Sequence, residues 1–540
     1  NDVDGFRVNM WGNTAGEAGV TIESIKTFGD VEDVNWVKNG GFEWLSDGLP
    51  VAWGTGRWGI GASPWMMDYD TFVGTYAIDE KEAKEGIRCL RLTNVGNAPF
   101  AYSCWMSPPS DWRYRLSLEM KASTPMHVSI EYSGIKKDFE ITSIWNEYAI
   151  DDLAPSSRSR IGIFSLGKGV LWVDSVSLMT EGKTRKHGYS APHPDDGPSY
   201  LPSTSSIPDR LSEEQVLASS VKATVKPIMS LGFESVPSKA IVEKTAELGF
   251  GYITVFLRSS VKPEDVGELL DNAGNVGISV IVWLDKKMDL SIIQSIVRAY
   301  GNYKSLTAWY VWDEPKSSER PAIEARIKAI RSLDPNHPIL VNDSAYSQNS
   351  SHQGDIVSTD IYPIPDSSPG ALIGPELALS SFAQKISEPF WIWLQGCGFA
   401  YNITREPSPA EYRNMVLTAL IDGVSGIQVF SNMPESFSLI ERFRKVNEEI
   451  RLVGPILISR GDFIKVESKS NNIVAKKYSL DDLIAIAISN PTPEKQDFNF
   501  PLPRGYAYQD GDDAFSNSSA AVYKSSVGPY DVKIIRLKRK

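Results

Sequence analysis

Three cysteines and five histidines in 540 residues leave little room for several kinds of chemistry. Three thiols cannot build a disulfide framework or a thiolate metal cluster. Cys89 and Cys104 lie in neighbouring strand-like segments and could pair, with Cys397 left over. No apolar run is long enough to span a bilayer. Basic clusters are as scarce: only Lys183-Thr184-Arg185-Lys186 and the tail Lys538-Arg539-Lys540 are locally positive, against a net charge of −12. Nucleic acid is thereby excluded as a partner, because phosphate binding needs clustered Lys and Arg. A Ser-His-Asp order and a glycine-rich phosphate loop are both missing. The chain opens on Asn1 without a leader-like stretch, as a trimmed form of a longer product would, with other surface modules upstream.

What is present is globular. Hydrophobic residues make up 42% of the chain, and its length exceeds what one core can organise, so about three domains are expected. Fifteen tryptophans gather between Trp36 and Trp65 and in the strands of the second half. Indole faces stack on sugar rings, but they also fill cores, so the count alone decides nothing.

The expected fold is multidomain: a β-sandwich of jelly-roll type, an α/β TIM (β/α)8 barrel and a small C-terminal antiparallel β-sandwich. Residues 1–30 read as the last strands of a partial upstream β-repeat, because Phe6 to Ile25 and Arg160 to Leu178 share a strand, a glycine-bearing turn and a closing strand. Either an upstream module is missing or these strands pack on the next domain. Residues 31–182 are short alternating runs split by Gly, Pro and Asn, as a jelly roll requires. Residues 183–215 are dense in Pro, Ser and Gly and read as a linker. Over 216–461 eight apolar strands alternate with helical periodicity, the size of a TIM barrel. Residues 462–540 return to strands.

The tetrad Trp312-Asp313-Glu314-Pro315 is the most informative stretch. It closes the apolar run Leu306 to Val311, and carboxylates at the end of a buried strand are costly unless they are used. If the barrel is real, the residues past each strand face one cleft: Glu234, Arg258, Asp285, Asp313 with Glu314, Asn342 with Asp343, Asp360 with Tyr362, Gln395, and Ser431 with Asn432. Carboxylates crowded this way raise one another's pKa, which keeps one protonated as an acid. Trp283, Trp312, Trp391, Trp393 and Tyr401 are the aromatic side chains that would line the same mouth. That is equipment for glycoside hydrolysis. A helix N-cap aspartate followed by a solvated glutamate would look alike in sequence.

Two resemblances follow from these motifs. Asn39-Gly40-Gly41-Phe42-Glu43 with Leu49-Pro50-Val51-Ala52-Trp53, and the closing Trp172-Val173-Asp174-Ser175-Val176, resemble the jelly-roll carbohydrate-binding modules attached to xylanases. That resemblance implies a structural calcium between the two ends and nominates Glu43 and Asp174, which ordinary polar edge residues would mimic. The barrel region resembles clan-A glycoside hydrolases, with Glu314 where their strand-four acid/base glutamate stands and Asp313 in place of the usual asparagine. Ser358-Thr359-Asp360-Ile361-Tyr362-Pro363 resembles their strand-six turn. At the end of strand seven, where the family carries its nucleophile, this chain has Gln395, which cannot attack as a carboxylate does. The resemblance implies Glu314 as general acid, with Asp360 the first choice for its partner and Glu234, Asp285 and Asp343 also available. Alternatively Asp313 and Glu314 act as in hexosaminidases, where the substrate's acetamido group is the nucleophile. The implied protein is secreted or at the cell surface and acts on a polysaccharide or glycoconjugate. A barrel that only binds sugar, or a structural surface protein built from the same modules, are the alternatives.

Overall fold

The computed structural model describes residues 35–54, 76–180, 227–342, 354–362, 390–397, 406–430, 434–508 and 522–539, apart from short gaps within these ranges. The β-repeat expected over 1–30, the linker at 183–215 and its two borders, and Cys104 lie outside the described residues. Cys89 is a buried thiol.

Beside a short hairpin of Leu45–Ser46 and Leu49–Pro50, ten strands build the first body: β1 Trp53–Gly54, β2 Tyr76–Asp79, β3 Cys89–Asn94, β4 Phe100–Ser103 and β5 Tyr114–Ala122, then β6 Met126–Tyr132, β7 Ile135–Ile141, β8 Asn146–Leu153, β9 Ile161–Ser165 and β10 Gly169–Thr180. They form two antiparallel sheets, ordered β8-β5-β10-β3-β2 and β1-β4-β9-β6-β7. From β3 to β10 the chain changes sheet at every step except β6 to β7, and β10 returns to pair with β3. This is jelly-roll connectivity. The alternation in the sequence explains it: in β5 every second side chain, from Tyr114 through Leu116, Leu118 and Met120 to Ala122, is buried.

Glu43 and Asp174 both hold backbone N–H groups of the segment 84–88. Glu43 Oε1 accepts the backbone N–H groups of Ile87 and Arg88 at 2.7 and 3.0 Å. Asp174 Oδ2 accepts those of Lys84 and Glu85, and its Oδ1 that of Ser175, at 2.7–3.0 Å. The segment between them presents hydrogens, whereas calcium needs a shell of oxygens. Among the described residues no group of three or more His, Cys, Asp or Glu side chains is arranged to hold a metal. The two carboxylates staple residues 84–88 to the sandwich, and the calcium expected there would have to displace those N–H groups. Burial pushes the Asp174 carboxyl up to about 6 in spite of its three donors. Asp174→Ala strands those donors and should cost roughly 1–3 kcal/mol, read as a lowered denaturation midpoint. Added calcium or a chelator should leave that midpoint where it is; a calcium-dependent rise would restore the metal.

Eight parallel strands form the second body: β11 Ile228–Phe233, β12 Tyr252–Leu257, β13 Ser279–Leu284, β14 Leu306–Asp313, β15 Ile339–Asn342, β16 Ile356–Ile361, β17 Phe390–Gln395 and β18 Gly426–Phe430. They are ordered in sequence and close where β11 pairs with β18. Both faces are covered, so the strands read as nearly unbroken apolar runs; all six residues of β17 are buried. The described helices are α1 Lys239–Glu247, α2 Pro263–Asn275, α3 Leu290–Tyr300, α4 Arg320–Arg331, α5 Pro409–Asp422 and α6 Phe437–Leu457. Inside the barrel the rings of Trp283, Tyr310, Trp393 and Phe430 pack together, and Gly232 is required beneath them: a Cβ there would lie 2.4 Å from the Trp393 ring.

The third body consists of β19 Asp462–Phe463, β20 Glu467–Ser468, β21 Val474–Leu480, β22 Leu483–Asn490, β23 Gln496–Pro501, β24 Tyr506–Tyr508, β25 Val522–Val527 and β26 Asp531–Arg539. They pair as β19-β21-β22-β26-β24 and β20-β23-β25. Helix α5 begins with a capping box, Ser408 against Glu411, carries Pro409 in its first turn and stops at Gly423 in the left-handed region (φ 99°). It is buried on every side, between the barrel strands and this sheet. The first body also reaches the barrel, where Tyr76 meets Phe437 of α6 edge-on at 5.0 Å.

Candidate active site

Asp313 reaches the barrel interior through an irregularity in β14. Tyr310 stands level with Leu340 of β15, yet Trp312 is level with Val341 and Asp313 with Asn342, so one residue is extra. This is a β-bulge. Val311 and Trp312 both pack outward, and Tyr310 and Asp313 both face inward. Glu314 follows with φ 45°, a left-handed conformation that a β-carbon disfavours, and its N–H is held by the Asn342 carbonyl at 2.9 Å. Backbone strain of this kind gathers at functional sites.

Three carboxylates then converge. Asp313 Oδ1 accepts the Tyr310 hydroxyl at 2.5 Å and Asn342 Nδ2 at 3.0 Å. The same Nδ2 lies 3.4 Å from Asp360 Oδ1. Asp360 is pushed up to about 7, first by burial, then by Glu314 and Asp313. Burial raises Asp313 against the two hydrogen bonds that favour its ionised form. Glu314 is open to solvent in the mouth, and partial enclosure and the Asp313 charge raise its carboxyl, with Lys286 opposing. Tyr310, wholly buried beside Asp313, is held far above its usual range and keeps its proton.

Other expected residues divide. Trp283, half-buried, stacks on Tyr310 at 4.7 Å, and Tyr362, half-buried, lies 5.3 Å from Phe430; both leave ring surface at the mouth. Trp393 is 2% exposed and forms the floor beneath them. Trp312 must be corrected: its ring is turned away from the mouth against α4, with the Arg326 guanidinium 4.9 Å from its centroid. Asp285 ties backbone, accepting the N–H groups of Ser259 and Lys287. Glu234 follows β11, three strands round the barrel from Glu314. Gln395 is buried, with its Nε2 donating to the Cys397 carbonyl at 3.3 Å. Asp343 and Tyr401 lie outside the described residues.

Sequence reading passed over Tyr310 and Lys286. A hydroxyl three residues before Asp313 in an apolar strand was the available signal for the first, and a cation in a ring of acids for the second. Arg326 was also unforeseen. Its buried guanidinium donates to the carbonyls of Asp285, Lys286, Met288 and Val311, tying the loop that carries Lys286 to the bulge.

The shared proton has a measurable consequence. Burial and the neighbouring charges push folded Asp360 up to about 7 from the ordinary 3.8, so between those values the folded chain binds a proton that the unfolded chain releases. Stability should fall as pH rises through this window. Asp360→Asn should flatten that fall and raise stability at pH 8 by on the order of 2–4 kcal/mol. Denaturant midpoints across pH 4–8 would check it; an Asp360→Asn variant with the parental pH dependence contradicts it.

No family model matches the chain, and no curated protein does. Solved structures that align include an arabinose-bound GH51 α-L-arabinofuranosidase, at 10% identity and TM-score 0.35 over 94% of both chains. An acarbose-complexed α-amylase from Geobacillus thermoleovorans aligns at 11% and 0.39 over 58% of this chain and 98% of its own. A GH30 endoxylanase from Clostridium papyrosolvens aligns at 9% and 0.36 over 58% and 97%. At that level of likeness none of them informs the chemistry of this chain. No helix among the described residues is long and apolar enough to cross a membrane.

Proposed function

We propose that this chain is a glycoside hydrolase, acting on a polysaccharide or glycoconjugate outside the cell, with Glu314 and Asp360 as its paired carboxyls. The observation that carries the reading is the convergence of Asp313, Glu314 and Asp360 at one end of the barrel, where burial and then the Glu314 and Asp313 charges push Asp360 up to about 7. Glycoside hydrolysis needs one carboxyl protonated and one ionised at the same pH. The field favours Asp360 as the proton carrier and the solvent-open Glu314 as its ionised partner, an exchange of the roles implied by position along the chain.

In this mechanism Asp360 protonates the leaving glycosidic oxygen. Glu314 then either attacks the anomeric carbon, at a carboxyl separation of about 5–5.5 Å, or draws a proton from water, at about 6.5–9.5 Å. Asp313 supplies charge, and Tyr310 and Asn342 both hold its Oδ1. The faces of Trp283 and Tyr362 are suited to stack on sugar rings.

Incubation with a panel of plant, algal and microbial glycans near pH 6, with the anomer of the first product read by NMR, tests the reading. Release of a reducing sugar from one of them supports it. Affinity for a glycan without product would favour a barrel that only binds.

A further inference from the structure

Asn342 touches Asp313, Glu314 and Asp360 alike. Its Nδ2 donates to Asp313 Oδ1 and Asp360 Oδ1, and its carbonyl accepts the Glu314 N–H. An amide side chain can sit either way round with nearly the same shape. Here the carboxylates, which only accept, make the choice, and Ser358, its neighbour across the β15–β16 pair, holds it by donating its hydroxyl to Asn342 Oδ1 at 2.6 Å. Both residues are buried. The amide nitrogen is thereby turned to the carboxylates; the flipped amide would set an oxygen against two of them.

We propose that Asn342, locked by Ser358, is a positioning residue that divides the proton between Asp360 and its acidic neighbours and so sets the pH range of the site. The proposal rests on the reading of Glu314 and Asp360 as the reacting pair. An N–H donated to a carboxylate favours its ionised form. Asn342 therefore holds Asp360 down against the groups that raise it. Burial comes first, then the charges of Glu314 and Asp313 at the end of β14, with the Tyr310 hydroxyl on Asp313. Tyr362 directly follows its own strand, and uncharged Trp393 stands beside Asp360 on β17. Lys286 acts on Asp313 and Glu314 from the loop after β13.

Two readouts separate this role from a merely structural one. The first needs no substrate: denaturant midpoints of the full chain are measured from pH 4 to 9. In Asn342→Ala the decline in stability should extend about half to one unit higher in pH than in the parent. Ser358→Ala should shift it the same way by less, and Asp360→Asn combined with Asn342→Ala should abolish the shift. The second uses any glycan the parent hydrolyses: the limb of the pH–rate profile near 7 should move up in Asn342→Ala and, by less, in Ser358→Ala. Variants that lose stability or rate uniformly, with the titration unmoved, overturn the proposal. A shifted stability profile in a chain that cuts no glycan would sustain the role of Asn342 on Asp360 while rejecting the hydrolase reading.

Discussion

Glu314→Gln should lower kcat by roughly a hundred- to ten-thousand-fold on any glycan the parent hydrolyses, the range typical of a lost acid–base group. The amide keeps the shape and loses the charge, and Glu314 stands open in the mouth, so the denaturation midpoint should stay close to the parent's. A second effect comes with it. After burial, the Glu314 charge is the largest influence raising Asp360. Removing that charge should let Asp360 ionise at lower pH, and the stability decline expected between pH 4 and 7 should end at lower pH. Loss of rate with a displaced Asp360 titration places the two groups in one field. Full activity in Glu314→Gln would remove it from the mechanism.

Arg413→Met should be the most destabilising single change among the ion pairs described. The guanidinium lies on α5, buried, and grips Glu449 of α6 through Nε and one terminal nitrogen at 2.8 and 2.7 Å. Its other terminal nitrogen holds Asp531 at the start of β26 at 2.7 Å. Burial raises the Asp531 carboxyl and Arg413 opposes it, so the cation is what keeps that residue ionised. Removing it leaves two enclosed carboxylates without a partner, a cost of roughly 3–5 kcal/mol. Replacing Glu449 by Leu and Asp531 by Asn in the same chain should recover most of that loss, since the penalty lies in the stranded charges. Urea unfolding of the parent and the two variants measures it; a single variant as stable as the parent would show the pairs to be dispensable.

The barrel was legible because its strands are short apolar runs of parallel-sheet type, each followed by a polar residue at the rim. The eight segments from Ile228 to Phe430 form as strands near the places read for them. The jelly roll was legible from strict alternation, as in Tyr114–Ala122. The orientation of the tetrad was not. Alternation carried forward from Tyr310 puts Trp312 on the inner face and Asp313 outside, and a bulge reverses that assignment without leaving any mark in the residue types. Asn342 was visible as a strand end but not as a hub, because its partners come from positions as far away as Asp313 and Asp360. The proton order was beyond reach for a similar reason: it depends on depth, and Asp360 is enclosed where Glu314 is open.

Helix α5 also constrains the order in which the chain can mature. Its outward side chains find their partners far downstream: Asn414 and Thr418 on Ser489, Arg413 on Asp531. During synthesis, which runs from the amino end, the barrel strands emerge well before those residues do. Until they arrive, one side of α5 carries polar groups shaped for partners not yet made and apolar surface open to water. The barrel of this protein therefore cannot complete its native packing as an independent folding unit. Contacts closed over such long stretches of chain are slow to form, so a ribosome-bound chain halted after residue 461 should hold its barrel loosely and engage chaperones.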